Sequence, residues 1–182
     1  FNFQLVVQRY VKFSYLCAMT SHTDISIATF TGHRTYQGEA DEALREAVEA
    51  LYDEGVRTFR VGMAEGFDLA AGAAVVALSE RHEDVVIEAI VPFPAFALRF
   101  GVHDKMLYDS VIASADVVLY ADMAYHRAIF HRRNDMLVEG ADVVVAWYDG
   151  SRGGTDYTIR RAHKLGCRII NLFPDPQLSI DF

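Results

Sequence analysis

A glycine-rich stretch, YDGSRGGTD (148–156), carries the residue types that bind anions. Gly153 and Gly154 let the backbone approach a phosphate closely, and the free N–H groups and dipole of a helix start favour negative charge. We expect Thr155 to cap this helix or to donate to a phosphate oxygen. From these residues alone an ordinary glycine-rich turn explains the stretch equally well. The candidate phosphate-binding residues of this loop are Gly150, Ser151, Gly153, Gly154 and Thr155.

A second candidate stretch is Thr31-Gly32-His33-Arg34, which follows an apolar run. The arginine is suited to bind phosphate, and the histidine is suited to stack or to donate a hydrogen bond. A plain surface turn is the alternative interpretation.

A third stretch, GMAEGFD (62–68), places two acids beside glycines. Asp68 is positioned to cap a buried helix, which is a structural role. Glu65 is suited to accept from a ribose hydroxyl or to act as an acid or base. The candidate binding residues here are Gly62, Met63, Ala64, Glu65, Gly66 and Asp68.

The fourth candidate is the basic stretch YHRAIFHRRN (125–134), in a chain whose formal net charge is −8. Such a cluster attracts phosphate, although a solvated helix face is the alternative. On a helix of about 3.6 residues per turn, Arg132 and Arg133 point about 100° apart, so at most one of them faces a pocket. We expect that residue to be Arg133, with Asn134 beside it.

Composition narrows the possible functions. The chain has 25 acids against 17 lysines and arginines, which disfavours extended nonspecific binding to DNA or anionic membranes but allows a small phosphate ligand. No metal-ligand spacing of His and Cys is evident, and neither GxSxG nor a Ser-His-Asp order is present. We therefore expect no metal site. Cys167 is predicted to be a buried strand residue, and it forms no disulfide framework with Cys17. No apolar run reaches membrane-spanning length, so we expect a cytoplasmic protein.

Alternating apolar runs predict the elements that position these stretches. Near-continuous Val/Ile runs indicate strands covered on both faces, hence one doubly wound, mostly parallel α/β sheet of about six strands with helices on both faces. That fold binds ligands at the carboxyl ends of its strands, where all four stretches fall. The predicted strands are 25–30, 58–61, 85–93, 117–120, 143–147 and 168–173, and the predicted helices are 39–54, 67–80, 103–114, 128–139 and 155–165.

The N-terminal residues are predicted to lie outside the domain. Met19 is followed at once by polar residues and then by the first strand, so we expect 19–182 to be a single domain and 1–18 an extension, native or not. Arg9 and Lys12 interrupt the apolar stretch, which argues against a signal peptide.

Together these stretches resemble the SLOG superfamily, which groups DprA (Smf), the LOG phosphoribohydrolases and YpsA-like proteins. Residues 61–71 (VGMAEGFDLAA) are similar to the DprA pattern SGLAxGIDxxAH, and Arg133-Asn134 are similar to its RRN segment. His131-Arg132-Arg133 keeps the His-x-Arg of the LOG segment HxRK. The loop 153–155, followed by Ala162, Gly166 and Pro174, matches the loop, helix and final strand of both. In size the chain is most similar to the YpsA-like proteins.

The resemblance implies a Rossmann-like domain with a pocket for a nucleotide or nucleotide-derived phosphate. In the LOG pattern GGxGTxxE the glutamate acts with arginine to cleave an N-glycosidic bond. Here Thr158 stands at the glutamate's position and Asn134 at the lysine's, and Asp156 points elsewhere along the helix. The candidate catalytic residues are Glu65, Arg133 and Asp156.

Three functional hypotheses follow. The leading one is a module that binds or senses a nucleotide-like ligand, with no other cofactor indicated. Its phosphate is expected on the N–H groups of Gly153 to Thr155, with Arg34 or Arg133 as charged partner and Glu65 or Asp68 near the sugar. The alternatives are a nucleotide N-glycosidic hydrolase and a DprA-like module for single-stranded nucleic acid. No membrane partner is expected, and self-association stays open.

Overall fold

The protein is described by a computed structural model that covers residues 27–174. The predictions for the extension 1–18, for Cys17 and for the first residues of the first strand lie outside the described residues.

Six strands and five α-helices alternate along the described chain. The strands are β1 (Ile27–Gly32), β2 (Thr58–Val61), β3 (Val86–Val91), β4 (Val117–Tyr120), β5 (Val143–Trp147) and β6 (Arg168–Asn171). The helices are α1 (Asp41–Asp53), α2 (Phe67–Ser79), α3 (Val102–Ser114), α4 (Ile129–Val138) and α5 (Gly154–Leu165). A short 3₁₀ helix, Phe96–Arg99, lies between β3 and α3.

All neighbouring strands pair in parallel, in the order β4-β3-β2-β1-β5-β6. The chain runs outward from β1 to β4 and then returns to the other side of β1 as β5. Because parallel crossovers are right-handed, α1 to α3 cover one face and α4 and α5 the other. Two apolar clusters fill these layers, one built around Phe59 and Leu69, the other around Val144 and Ile159. The predicted fold class is confirmed.

Most predicted elements agree with the structure, and the differences have local causes. The predicted bounds of β2, β4 and β5 are those observed. The prediction that Cys167 is a strand residue was wrong. The α5 helix ends at Gly166, whose φ of 79° turns the chain, so Cys167 is buried in the turn before β6, with its Sγ near the carbonyl of Ala141.

The strand order places the loops after β1 and β5 side by side. Gly32, the last residue of β1, is the register partner of Trp147, the last residue of β5. Strand order reverses between these two strands, and in open parallel sheets a ligand crevice forms at that switch point. The fold therefore brings the candidate loops after β1 and β5, residues 31–34 and 148–155, to one crevice.

Candidate functional site

Direct contacts join the two loops at the switch point. The Nε2 atom of His33 lies 2.8 Å from Oδ1 of Asp149 and 3.3 Å from the backbone nitrogen of the same residue. Nε2 donates to the carboxylate when it carries a proton and accepts from the N–H when it does not. The ring of Tyr148 lies 6.1 Å from that of His33. Hydrogen bonds from Ser151 hold the pKa of Asp149 below its usual value, because they favour the ionised carboxylate.

The start of α5 leaves backbone donors open. Gly153 is the N-cap residue, and no side chain among the described residues caps it. The first helical bond runs from the N–H of Tyr157 to the carbonyl of Gly153, so the N–H groups of 154–156 precede the helical ladder. Gly153 and Gly154 are exposed, and an added Cβ at Gly153 would meet nothing within 4 Å. This geometry suits an anion.

The expectation that Thr155 caps α5 was wrong. The helix begins one residue earlier than predicted, at Gly154, so Thr155 lies inside its first turn and is buried, with 7% of its surface exposed. A cap residue precedes the helix, and that place is taken by Gly153. The capping role is therefore left to backbone groups or to a ligand.

A buried ion pair organises the loop 62–68. The Nη1 atom of Arg133 donates to the carbonyl of Gly62 and to Oδ2 of Asp68, both at 2.8 Å. The two side chains are 8% and 5% exposed, and the Nε atom of Arg133 is buried without a partner among the described residues. Burial raises the pKa of the Asp68 carboxyl, and the nearby guanidinium opposes that shift.

The predicted capping role of Asp68 was wrong. The N-cap of α2 is Gly66, so Asp68 lies within the first turn of the helix. Its carboxylate instead accepts from Arg133 and, at 3.4 Å, from the backbone nitrogen of Ala64. An acid within the first turn still matches the helix dipole, which explains why it is tolerated there.

The loop 62–68 has a strained and closely packed backbone. Met63, which is fully buried, adopts φ of 62°, a value that residues with side chains rarely take. Gly66 has φ of 78°, and a Cβ there would lie 2.6 Å from the carbonyl oxygen of Arg34. The N–H of Phe67 donates to the carbonyl of His33. The loop after β2 is thus fitted against the loop after β1.

The neighbouring arginines of α4 have different surroundings. Arg133 points into the protein, whereas Arg132 is 59% exposed and pairs with Asp122 at 3.1 Å. His126 also lies 3.3 Å from Asp122, so this acid offsets part of the basic cluster. Arg34 is exposed, with its guanidinium carbon 5.6 Å from the ring centre of Phe130.

Asn134 links α4 to the start of α5. Its amide Nδ2 donates to the carbonyl of Gly154 at 3.3 Å, so α4 contacts the first residue of α5. One helical turn earlier, His131 packs edge-on against Tyr157 at 4.5 Å between ring centres. The loops 31–34, 62–68 and 148–155 therefore meet around α4.

Two of the three candidate catalytic residues are engaged in structural contacts. Asp156 accepts from the hydroxyl of Tyr148 at 2.9 Å and pairs with Arg160 at 2.8 Å. Arg133 is held by the ion pair. Thr158 donates to the carbonyl of Gly154 inside α5. Glu65 is half-buried in the loop after β2. A hydrolase reaction at this site would thus depend on Glu65.

Tyr148 and Asp149 were not among the predicted site residues, although both lie in the glycine-rich stretch 148–156. Their contacts to Asp156 and His33 depend on the neighbouring position of β1 and β5, which periodicity does not reveal. A large open groove, about 660 Å³, lies elsewhere, between α1, α2 and α3. It shares only Arg34 and Gly66 with the predicted site residues. Alanines of α2 and charged side chains of both signs, such as Asp41, Arg45 and Asp104, line this groove. We favour the switch point, since the open N–H groups at the start of α5 lie there and favour an anion.

Within residues 27–174, no group of three or more His, Cys, Asp or Glu side chains is arranged to hold a metal ion. Among the described helices, none combines the length and apolar character that crossing a membrane requires.

Comparison with known proteins identifies relatives. The family model described as YspA SLOG family matches residues 17–168. The uncharacterised SPbeta prophage-derived protein YoqJ of Bacillus subtilis is 26% identical over 155 residues, covering 78% of this chain and 91% of that protein. The UPF0398 protein YpsA of the same organism is 26% identical over 129 residues, covering 68% of this chain and 70% of the relative.

Two solved structures of DNA processing protein A share the fold. The Streptococcus pneumoniae protein superposes with a TM-score of 0.64 at 20% identity, over 85% of this chain and 52% of that one. The Helicobacter pylori protein, described by its single-stranded DNA binding mode, gives 0.60 at 16% identity, over 80% and 64%. This chain thus spans between half and two thirds of each DprA chain.

Proposed function

The chain belongs to the YspA SLOG family, and from that starting point we propose that the crevice between β1 and β5 binds the phosphate of a nucleotide unit. The observation that carries this proposal is the start of α5, where Gly153 is exposed, uncapped by any described side chain, and followed by open N–H groups. Backbone donors and the helix dipole at such a position favour an anion.

Arg34 is the charged partner that the geometry supports. It is exposed and adjoins His33, which contacts the loop after β5. Arg133 is almost completely buried, and its Nη1 is engaged by Gly62 and Asp68. We therefore assign Arg133 a positioning role in which it holds the loop 62–68, while Arg34 supplies charge to the phosphate.

The test introduces one negative charge at the proposed phosphate site. Gly154→Asp places a carboxylate against the ligand, and a like charge at about 4 Å costs roughly 1 to 4 kcal/mol. Gly154→Asn is the neutral control of the same shape. A Cβ at Gly154 meets only the amide of Asn134, at 3.8 Å, so both variants should fold. The aspartate variant should not destabilise α5, because an acid in the first turn of a helix interacts favourably with the helix dipole.

The measurement is isothermal titration calorimetry with AMP and ribose 5-phosphate. Wild type and Gly154→Asn should bind, and Gly154→Asp should bind at least about fivefold more weakly. Equal affinity of the two variants would place the phosphate elsewhere. Absence of binding by wild type to both compounds would refute the proposal for free nucleotides.

A second candidate function is binding of single-stranded nucleic acid. It is favoured by the shared fold with DprA, since the H. pylori protein is described by its single-stranded DNA binding mode. The exposed Arg127 and Arg132 of the basic cluster extend the same edge of the sheet. The chain's net charge of −8 limits nonspecific attraction, so any binding should depend on the crevice.

Fluorescence anisotropy with a labelled single strand and the matching duplex tests this candidate. Binding through phosphates should be several-fold weaker at 200 mM than at 50 mM salt, since the logarithm of the binding constant falls with the logarithm of the salt concentration, at a slope of about −0.7 per phosphate contact. The single strand should bind more tightly than the duplex, and Gly154→Asp should weaken it. If the single strand and the duplex bind equally, or if Gly154→Asp weakens the binding of neither, the crevice is excluded as the nucleic-acid site.

A further inference from the structure

A group of aromatic side chains lies beside the proposed phosphate site. We call Phe93, Phe96, Tyr125 and Phe130, from the loops after β3 and β4 and the start of α4, the aromatic rim. Ring centres are 5.8 Å apart for Phe93 and Tyr125, 6.3 Å for Tyr125 and Phe130, and 5.9 Å for Phe96 and Phe130. Core packing does not require all of these rings, because Tyr125 is 66% exposed and Phe93, Phe96 and Phe130 are only partly buried.

The rim is adjacent to the phosphate site through α4. Phe130 and Asn134 are four residues apart on this helix, so their side chains share a face with about 5 to 6 Å between Cβ atoms. Asn134 donates to the carbonyl of Gly154, the first residue of α5. Phe130 is therefore linked, through one turn of α4, to the first residue of α5. This neighbourhood suits a ligand whose phosphate and base are bound by separate groups.

Arg34 connects the rim to the proposed phosphate site. Its guanidinium carbon lies 5.6 Å from the ring centre of Phe130, within the range of a cation–π contact. The preceding residue, His33, contacts Asp149 in the loop after β5. A planar cation over a partly buried aromatic ring forms a surface on which a flat ligand group can stack.

From these observations we propose that the aromatic rim, at Tyr125 and Phe130, is a stacking subsite for the nucleobase of the ligand whose phosphate lies on α5. The subsite rests on the proposed phosphate site and adds the base as the recognised group. Every base presents a π-face, and the rim offers rings rather than a set of hydrogen-bonding groups. The subsite consequently accepts any of the four bases with similar affinity.

The experiment compares ligands with and without a base. The four ribonucleoside 5′-monophosphates and ribose 5-phosphate are titrated by calorimetry into wild type, Tyr125→Ala and Tyr125→Phe. In wild type the nucleotides should bind about five- to 150-fold more tightly than ribose 5-phosphate, the range for stacking one base. Tyr125→Ala should remove most of that advantage, and Tyr125→Phe should retain it. Ribose 5-phosphate should bind all three proteins equally.

The outcomes separate the two proposals. If ribose 5-phosphate and the nucleotides bind wild type equally, or if Tyr125→Ala binds nucleotides as wild type does, the stacking subsite is refuted and the phosphate site stands. If none of these compounds binds wild type, both proposals fail together. Because Tyr125 is mostly exposed, its substitution should leave the thermal midpoint unchanged, and the unaffected binding of ribose 5-phosphate shows that the crevice is intact.

Discussion

Substitution of Gly62 by alanine should disrupt the interior of the site without touching its surface. An ideal Cβ at this position would lie 2.1 Å from Nη1 of Arg133 and 2.4 Å from Oδ2 of Asp68. Those two atoms form the buried ion pair, at 2.8 Å from each other. A methyl group cannot be accommodated unless at least one of the charged groups moves away.

The cost follows from the burial of both charges. The guanidinium and carboxylate are 8% and 5% exposed, so neither can regain water without opening the loop. Breaking a buried pair costs about 3 to 5 kcal/mol, and accommodating an extra methyl group in a packed interior costs about 1 to 3 kcal/mol. These costs overlap, because one movement relieves both, so we expect a loss of about 3 kcal/mol. At about 2 to 4 °C per kcal/mol for a domain of this size, the thermal midpoint should fall by about 6 to 12 °C.

Urea unfolding followed by circular dichroism measures the loss. The matched control is Gly153→Ala, since a Cβ at Gly153 meets nothing within 4 Å and its φ of 163° is ordinary extended backbone. The control should stay within about 1 kcal/mol of wild type, the cost of a poorer helix cap. If Gly62→Ala is as stable as Gly153→Ala, the ion pair does not fill the space beside Gly62 and the positioning role of Arg133 is refuted.

Three further results are expected. Gly66→Ala should lower stability more than Gly150→Ala: both glycines have positive φ, but only at Gly66 would a Cβ meet backbone, at 2.6 Å, and thermal melts of the pair measure the difference. An NMR titration should place the pKa of the Asp149 carboxyl below the ordinary value of about 3.9, because hydrogen bonds from Ser151 stabilise the ionised form. The contribution of this group to stability is present above about 3.9 and is lost as the pH falls through the lowered pKa. A titration midpoint at or above about 3.9 would contradict this expectation. Arg34→Ala should weaken ribose 5-phosphate binding about tenfold in calorimetry, as loss of a charge-assisted hydrogen bond does, and unchanged affinity would remove Arg34 from the site.

The fold was predictable because its pattern is repeated and local. The strands β2, β4 and β5 are short runs rich in apolar side chains, each preceded by a charged residue, and each begins and ends where the pattern predicts. The 3₁₀ helix Phe96–Arg99 was missed, since its single turn has no helical periodicity. Helix starts were less accurate, because α5 begins at Gly154, a residue of low helix propensity that is suited to a loop.

The position of the candidate site follows from the predicted fold, whereas its individual contacts do not. Parallel strands bring their carboxyl ends to one edge, so the gathering of the four stretches there follows from alternation alone. Individual contacts depend on strand order and on helix rotation. Asp68 and Arg133 are 65 residues apart, and nothing local distinguishes an acid that caps its own helix from one that pairs across the site. For the same reason, the contact between His33 and Asp149, which are 116 residues apart in the chain, could not be predicted from local sequence.

The two halves of the candidate site differ in the hydrogen-bonding groups that they leave available to a ligand. The half around Gly62 and Arg133 is already satisfied, apart from a buried Nε atom, and offers a ligand little without rearrangement. The half around Gly153 is exposed, with backbone donors that no described side chain caps. Binding energy should therefore come from the second half, while the first keeps α4, and with it Asn134, at a fixed distance from Gly154. Under the proposed function, the buried ion pair keeps the interior beside the anion site rigid, and it does not itself bind the phosphate.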